Sequence, residues 1–127
     1  MDFITLQDVN DEIVTCEQAD VDDANMFLLN VAKKNGVNEA KIVTPPVYTV
    51  KRLGVVYALY VACVRNIGKD NLTSLDTEST RDDIYAQKAK LFKEEIEALQ
   101  KSISAADFID GNASAYAGTW TAVVRRA

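Results

Sequence analysis

Leu53-Gly54-Val55-Val56-Tyr57-Ala58-Leu59-Tyr60-Val61-Ala62-Cys63-Val64 is a run of twelve residues with no charged or strongly polar side chain, and its reading decides the fold. Lys51-Arg52 and Arg65 bracket it, so it falls well short of the about 20 apolar residues a membrane-spanning helix needs. Two buried strands would suit Val55, Val56, Val61 and Val64, but only Gly54, near the start, could turn the chain between them. A helix accounts for more. Pro45-Pro46 stands where a helix begins, because proline in a first turn forfeits no hydrogen bond and its fixed φ suits the entry. Gly68 stands where one ends. The run predicts a central helix from about Pro46 to Ile67.

Working outward, a polar linker (Lys69 to Glu78) leads to a second periodic stretch. Thr80, with Asp83 three residues later, caps a helix running to about Ser102. Tyr85, Ala89, Phe92, Ile96, Leu99 and Ile103 recur at alternating spacings of four and three, a seam suited to lying along another helix at a shallow angle. Lys90 to Glu94, Lys93 to Glu97 and Glu97 to Lys101 are opposite charges one turn apart on the other faces. Ala105 to Asp110 forms a short helical turn closed by Gly111.

Upstream, Asp20 is an N-cap candidate with Asp22 and Asp23 in the first turn, and Val21, Ala24, Leu28, Val31 and Ala32 follow at helical spacing. Lys33 and Lys34 suit the negative end of that helix, and Gly36 stands where a left-handed C′ residue belongs. Thr5 followed by Asp8 has the form of an N-cap with an acid at N3, which predicts a further helix from Leu6 to about Thr15 with Val9 and Ile13 on one face.

The fold class is therefore mainly α, a compact bundle of about four helices spanning residues 1–111. Residues 112–127 read as a separate C-terminal arm. Asn112 to Gly118 is small and polar, the composition of a flexible connection. Thr119 to Arg126 has high β propensity, and a lone terminal strand must pair with something. Trp120, with Val123 and Val124, reads as an anchor for a neighbouring chain by strand addition, or as a strand folded back on its own domain. Arg125 and Arg126 extend that candidate interface.

With 127 residues the chain fits one domain, and 48% hydrophobic residues are too many for intrinsic disorder. The net charge of −5 hides an asymmetry. Met1 to Ala32 contains no lysine or arginine, but eight acids: Asp2, Asp8, Asp11, Glu12, Glu17, Asp20, Asp22 and Asp23. Lys33 to Lys69 reverses the balance, with Lys33, Lys34, Lys41, Lys51, Arg52, Arg65 and Lys69 against Glu39. The two patches are either ordinary solvated faces or halves of a subunit interface, where complementary potentials fix register more than affinity. Asp20, Asp22 and Asp23 are the acidic candidates for such an interface. A nucleic-acid groove is disfavoured, because phosphate binding needs a concentrated basic surface.

No enzyme signature is present. The chain has no histidine, the commonest general base and metal ligand. It has no P-loop, no G-x-G-x-x-G and no nucleophile elbow. Asp20, Asp22 and Asp23 lack the mid-loop glycine and closing glutamate of a calcium loop and read as helix-capping carboxylates. Cys16 and Cys63 are far apart, and the start of the chain has no secretory pattern, so both read as reduced thiols, with Cys63 a small buried hydrophobe. Tyr48, Tyr57 and Tyr60 read as core aromatics with hydroxyls at a rim. No catalytic residue, cofactor, metal or small-molecule substrate is expected.

The order of elements resembles the small helical head–tail connector proteins of tailed bacteriophages and prophages. The carrying residues are the N-terminal cap and helix at Thr5-Leu6-Gln7-Asp8-Val9, the apolar helix after Pro45-Pro46, and Tyr85-Ala86-Gln87-Lys88-Ala89-Lys90-Leu91-Phe92 opening a charged amphipathic helix. Ile103 to Gly111 and a β-prone tail from Gly118-Thr119-Trp120 complete the pattern. The resemblance implies a homo-oligomeric ring below the portal, bound to portal and tail proteins, with termini reaching adjacent subunits and DNA passing through. It implies location in the bacterial host cytoplasm and then in the virion neck, without membrane contact. An acidic N-terminal surface would then let DNA slide by repelling phosphate. The rival of another class is a small bacterial adaptor or regulator that binds one partner through the Trp120 arm.

Overall fold

A computed structural model of the chain describes residues 2–11, 13–69 and 76–109, with side chains described at 2–11, 13–67 and 84–109. Four α-helices follow in order: α1 Gln18–Lys34, α2 Tyr48–Lys69, α3 Asp76–Ser102 and the short α4 Ala105–Ile109. Three-residue 3₁₀ turns lie at Leu6–Asp8 and Glu39–Lys41. The described residues contain no strand, as the mainly α reading expects. Residues 112–127, and with them the β-prone arm, lie outside the described residues.

The apolar run is helical, as its proline and glycine punctuation predicts, although α2 starts two residues after Pro46 and continues through Gly68. Its composition follows from its position, with α1 packed on one side and α3 on another. Leu53, Val56, Ala58, Ala62 and Cys63 are completely buried. A helix enclosed on most of its circumference has few positions where a charge could reach water, which is why twelve residues pass without one. Gly54 sets how closely the elements approach. A Cβ there would lie 2.7 Å from Leu28 Cδ1 and 3.3 Å from Ile4 Cγ2, so α1 and the N-terminal segment sit directly against the α2 backbone. Val64 is the position where the run meets water, at 48% exposed.

The α3 seam faces the core as its spacing predicts. Ala89, Ile96 and Ile103 are buried, and Tyr85, Phe92 and Leu99 pack half-buried beside them. The helix begins at Asp76, a turn earlier than the Thr80 cap implies. Arg52 of α2 locks the hairpin, its guanidinium donating to both Glu95 oxygens at 2.7 and 3.0 Å. Ile96→Ala should cost about 2–5 kcal/mol, the usual range for a buried large-to-small change. The check is a lowered urea midpoint with an unchanged m-value.

α1 ends as its sequence specifies. Gly36 has φ +81°, its amide donates to Lys33 O, and the Val37 amide donates to Ala32 O, completing a Schellman motif with Ala32 and Val37 both buried. The start of α1 differs from expectation. Glu17 is the N-cap and Asp20 sits at N3, accepting the Glu17 amide at 2.8 Å. The same reach-back occurs where Asp107 accepts the Ser104 amide at 2.8 Å, opening α4.

The expected helix from Leu6 to Thr15 is not formed. Thr5 and Asp8 do make the predicted cap, with the Thr5 amide donating to Asp8 at 2.8 Å, but only a 3₁₀ turn follows. Asp11 is the reason. Its carboxylate accepts the amides of Ile13 and Val14 at 2.9 and 3.0 Å, offering the backbone a local alternative to a helical ladder. The extended path that results buries Phe3, Ile4 and Val14, whereas Ile13, assigned to the helix face, is 47% exposed.

Candidate interaction surfaces

The acidic first third and the basic middle of the chain meet, but within one molecule. Lys51 lies 3.2 Å from Asp8, and Lys88, on α3, lies 3.2 Å from Asp11. Arg65 of α2 reaches two acids at once, Asp20 at 2.6 Å and Glu17 at 3.4 Å. For these residues the idea of two patches facing each other across a subunit boundary is corrected, because the N-terminal segment and α1 lie along α2 and consume the charges internally. Asp20 in particular is not a surface group: its side chain is 4% exposed. Its pairing with Arg65 raises the guanidinium pKa further above its usual range.

These pairs make stability acid-sensitive. The Thr5 amide, with Lys51, holds the Asp8 carboxyl below its usual value. Burial opposes ionisation of Asp11, but the amides of Val14 and Ile13 and the Lys88 ammonium outweigh it, so this carboxyl is lowered too. A carboxyl lowered on folding adds stability that is fully present above its unfolded pKa of about 4 and is lost as pH falls through the folded value. The urea midpoint should therefore drop as pH is taken below about 4. The drop should be shallower in Asp11→Asn, which already lacks one of the two contributions.

Asp22 and Asp23 do lie on the surface, on the outer side of α1. Asp22 accepts a hydrogen bond from Gln18 Nε2 at 2.9 Å, and with Asp2, Asn25, Met26 and Leu29 it lines a shallow cleft of about 160 Å³. Met26 is 60% exposed beside it. At the other end of α1, Lys33 and Lys34 are exposed. Among the described residues no group of three or more acids and cysteines is placed to hold a metal ion.

The aromatic set divides. Tyr57 stacks on Phe27 of α1 with ring centroids 4.0 Å apart, and Tyr60 lies beside it, both half-buried. Tyr48, also read as a core residue, is 74% exposed at the first position of α2, where the helix has not yet entered the core. Cys63 is fully buried as expected, and burial pushes its thiol up to about 11. Burial, with Asp20 nearby, pushes the half-buried Cys16 to about 11 as well, and its thiol points at the Ala58 carbonyl 3.5 Å away.

Two residues that matter were not singled out in the sequence. Asn25 is buried in α1 and holds the N-terminus: its Oδ1 accepts the amides of Phe3 and Ile4 at 2.8 and 3.0 Å, and its Nδ2 donates to Ile4 O at 3.1 Å. Lys88 sits over the Phe92 ring while reaching Asp11. A polar residue at a buried helical position was the available signal for Asn25; for Lys88 there was none. Of the remaining candidates, Trp120, Val123, Val124, Arg125 and Arg126 lie outside the described residues. No helix among the described residues is long and apolar enough to cross a membrane. No protein-family model, curated protein or solved structure matches the chain.

Proposed function

We propose that the chain is a non-enzymatic structural subunit of a head–tail connector ring in a tailed bacteriophage or prophage, joining the portal to tail components. The observation that carries this reading is the order of elements. A capped N-terminal segment is followed by a helix, then by an apolar helix entered after Pro45-Pro46, a long amphipathic helix bearing the Tyr85–Ile103 seam, and a short helix capped by Ser104 and Asp107. That is the pattern on which the resemblance rests, except that no helix continues from the Thr5–Asp8 cap and the β-prone tail lies outside the described residues. On this reading the protein assembles in the host cytoplasm and ends in the virion neck, and Trp120, Val123 and Val124 reach an adjacent subunit. Internal pairing of Asp8, Asp11 and Asp20 takes them out of the acidic surface that this reading assigns to the repulsion of passing DNA.

The test is binding to a portal ring. With the gene's neighbours known, the portal protein encoded beside it should retain the chain on a column, and absence of both portal, capsid or tail genes nearby and of portal binding would contradict the proposal. Removing Gly118 to Ala127 should leave helical circular dichroism and Tm nearly unchanged while weakening assembly. Collapse of the fold on that deletion would instead assign the terminal segment to the domain core.

A further inference from the structure

The outer face of α1 is graded along its length. Exposed Asp22 and Asp23 stand near its start, Met26 and the half-buried Leu29 in its middle, and exposed Lys33 and Lys34 at its end. These residues share one face at helical spacing. Acids at the start and bases at the end also suit the helix's own dipole, but the dipole asks nothing of Met26, whose side chain is 60% exposed between them. None of the four charges forms an ion pair among the described residues, whereas Asp8 and Asp11 of the N-terminal segment and the buried Asp20 of α1 are paired with Lys51, Lys88 and Arg65. The free charges are thus the ones facing outward, and they are of opposite sign about 18 Å apart along the axis.

A helix face that is acidic at one end, apolar in the middle and basic at the other is complementary to itself turned end over end. We propose that this face pairs two copies of the chain about a two-fold axis, with α1 antiparallel to α1 of the second copy. The axis passes at the level of Leu28. Asp22 then meets Lys33 of the second copy on one flank, Asp23 meets Lys34 on the other, and Met26 lies against Asn30 in the central layer, each contact occurring twice by symmetry. The cleft between Asp2, Asp22, Met26 and Leu29 receives the Lys33 side chain, its methylene stem on the apolar floor and its ammonium between the carboxylates. This contact goes beyond the connector reading and is separate from the head-to-tail contact that closes a ring.

The test uses the full chain carrying Met26→Cys and Asn30→Cys, oxidised under mild conditions and read on a non-reducing gel. Both added thiols face solvent, so folding is checked simply by an unchanged circular dichroism spectrum. The expected product is a two-chain species and nothing larger, because both disulfides join the same two molecules; the chain without the added cysteines gives none. A ladder of three or more chains would overturn the two-fold arrangement, and absence of the cross-link in the folded variant would overturn the contact. Adding Asp22→Lys/Asp23→Lys to the cysteine variant should abolish the cross-link, and Lys33→Glu/Lys34→Glu should do the same. Mixing the two charge variants should restore it between unlike chains, and failure to restore it would overturn the charge register. The gel reports on α1 whether or not a ring forms, so a chain that cross-links as a pair yet ignores the portal would keep this contact and lose the connector reading.

Discussion

Phe108→Ala is expected to cost about 3–5 kcal/mol, the largest loss from any single truncation in this domain. Phe108 is fully buried, its ring meets Phe3 edge to face at 6.3 Å between centroids, and its carbonyl accepts the Val43 amide at 2.9 Å. One residue on a five-residue helix thus ties the end of the described fold to its beginning and to the segment before Pro45. Alanine would keep the backbone bond and remove the ring, leaving a cavity bounded by elements from three distant parts of the chain. Against a typical total stability of about 5–15 kcal/mol, the loss should lower Tm by roughly 10–20 °C. Thermal unfolding followed by circular dichroism measures it, and a shift of only a degree or two would mean that α4 is not part of the core.

Asn25→Ala should cost nearly as much, for a different reason. The side chain satisfies the amides of Phe3 and Ile4 and the carbonyl of Ile4, all buried, so its loss strands two donors and an acceptor at about 1–3 kcal/mol each before relaxation. We expect roughly 3 kcal/mol or more in total, since relaxation recovers part of that sum. Asn25→Asp separates the parts. The carboxylate can still accept both amides but places a second oxygen against Ile4 O where an NH₂ stood, so it should be destabilising as well. Hydrogen exchange gives the specific signature: the amides of Phe3 and Ile4 should lose protection in Asn25→Ala well before those of α2.

The helices were readable where a periodic apolar face and its end signals agreed. Gly36 with Lys33 and Lys34 marked the end of α1, and the Tyr85–Ile103 seam marked the buried side of α3, because both patterns are imposed by the same packing that forms the helix. The Leu6–Thr15 segment shows the limit of local signals. The Thr5–Asp8 cap is real, but a cap satisfies only the first amides and says nothing of how many turns follow. Asp11 redirected the backbone, and burial of Phe3, Ile4 and Val14 decided the path.

Charge was the least readable property. The asymmetry between the first third and the middle was evident, but which charges remain for a partner depended on contacts such as Lys88 with Asp11, 77 residues apart. Asp20, Asp22 and Asp23 looked equivalent in sequence. A helix turns about 100° per residue, so Asp20 points into the domain toward Arg65 while Asp22 and Asp23 face outward. Only the latter two retain a place among the interface candidates, alongside the residues of the C-terminal arm.

The proposed role as an assembly subunit is most directly tested by the molar mass of the full-length chain in solution, measured by light scattering across a wide range of protein concentration and repeated with portal protein present. A ring subunit should give a discrete multimer, or convert to one as concentration rises or when the portal is added. A chain that stays a 14.0 kDa monomer throughout and does not join the portal peak would contradict it.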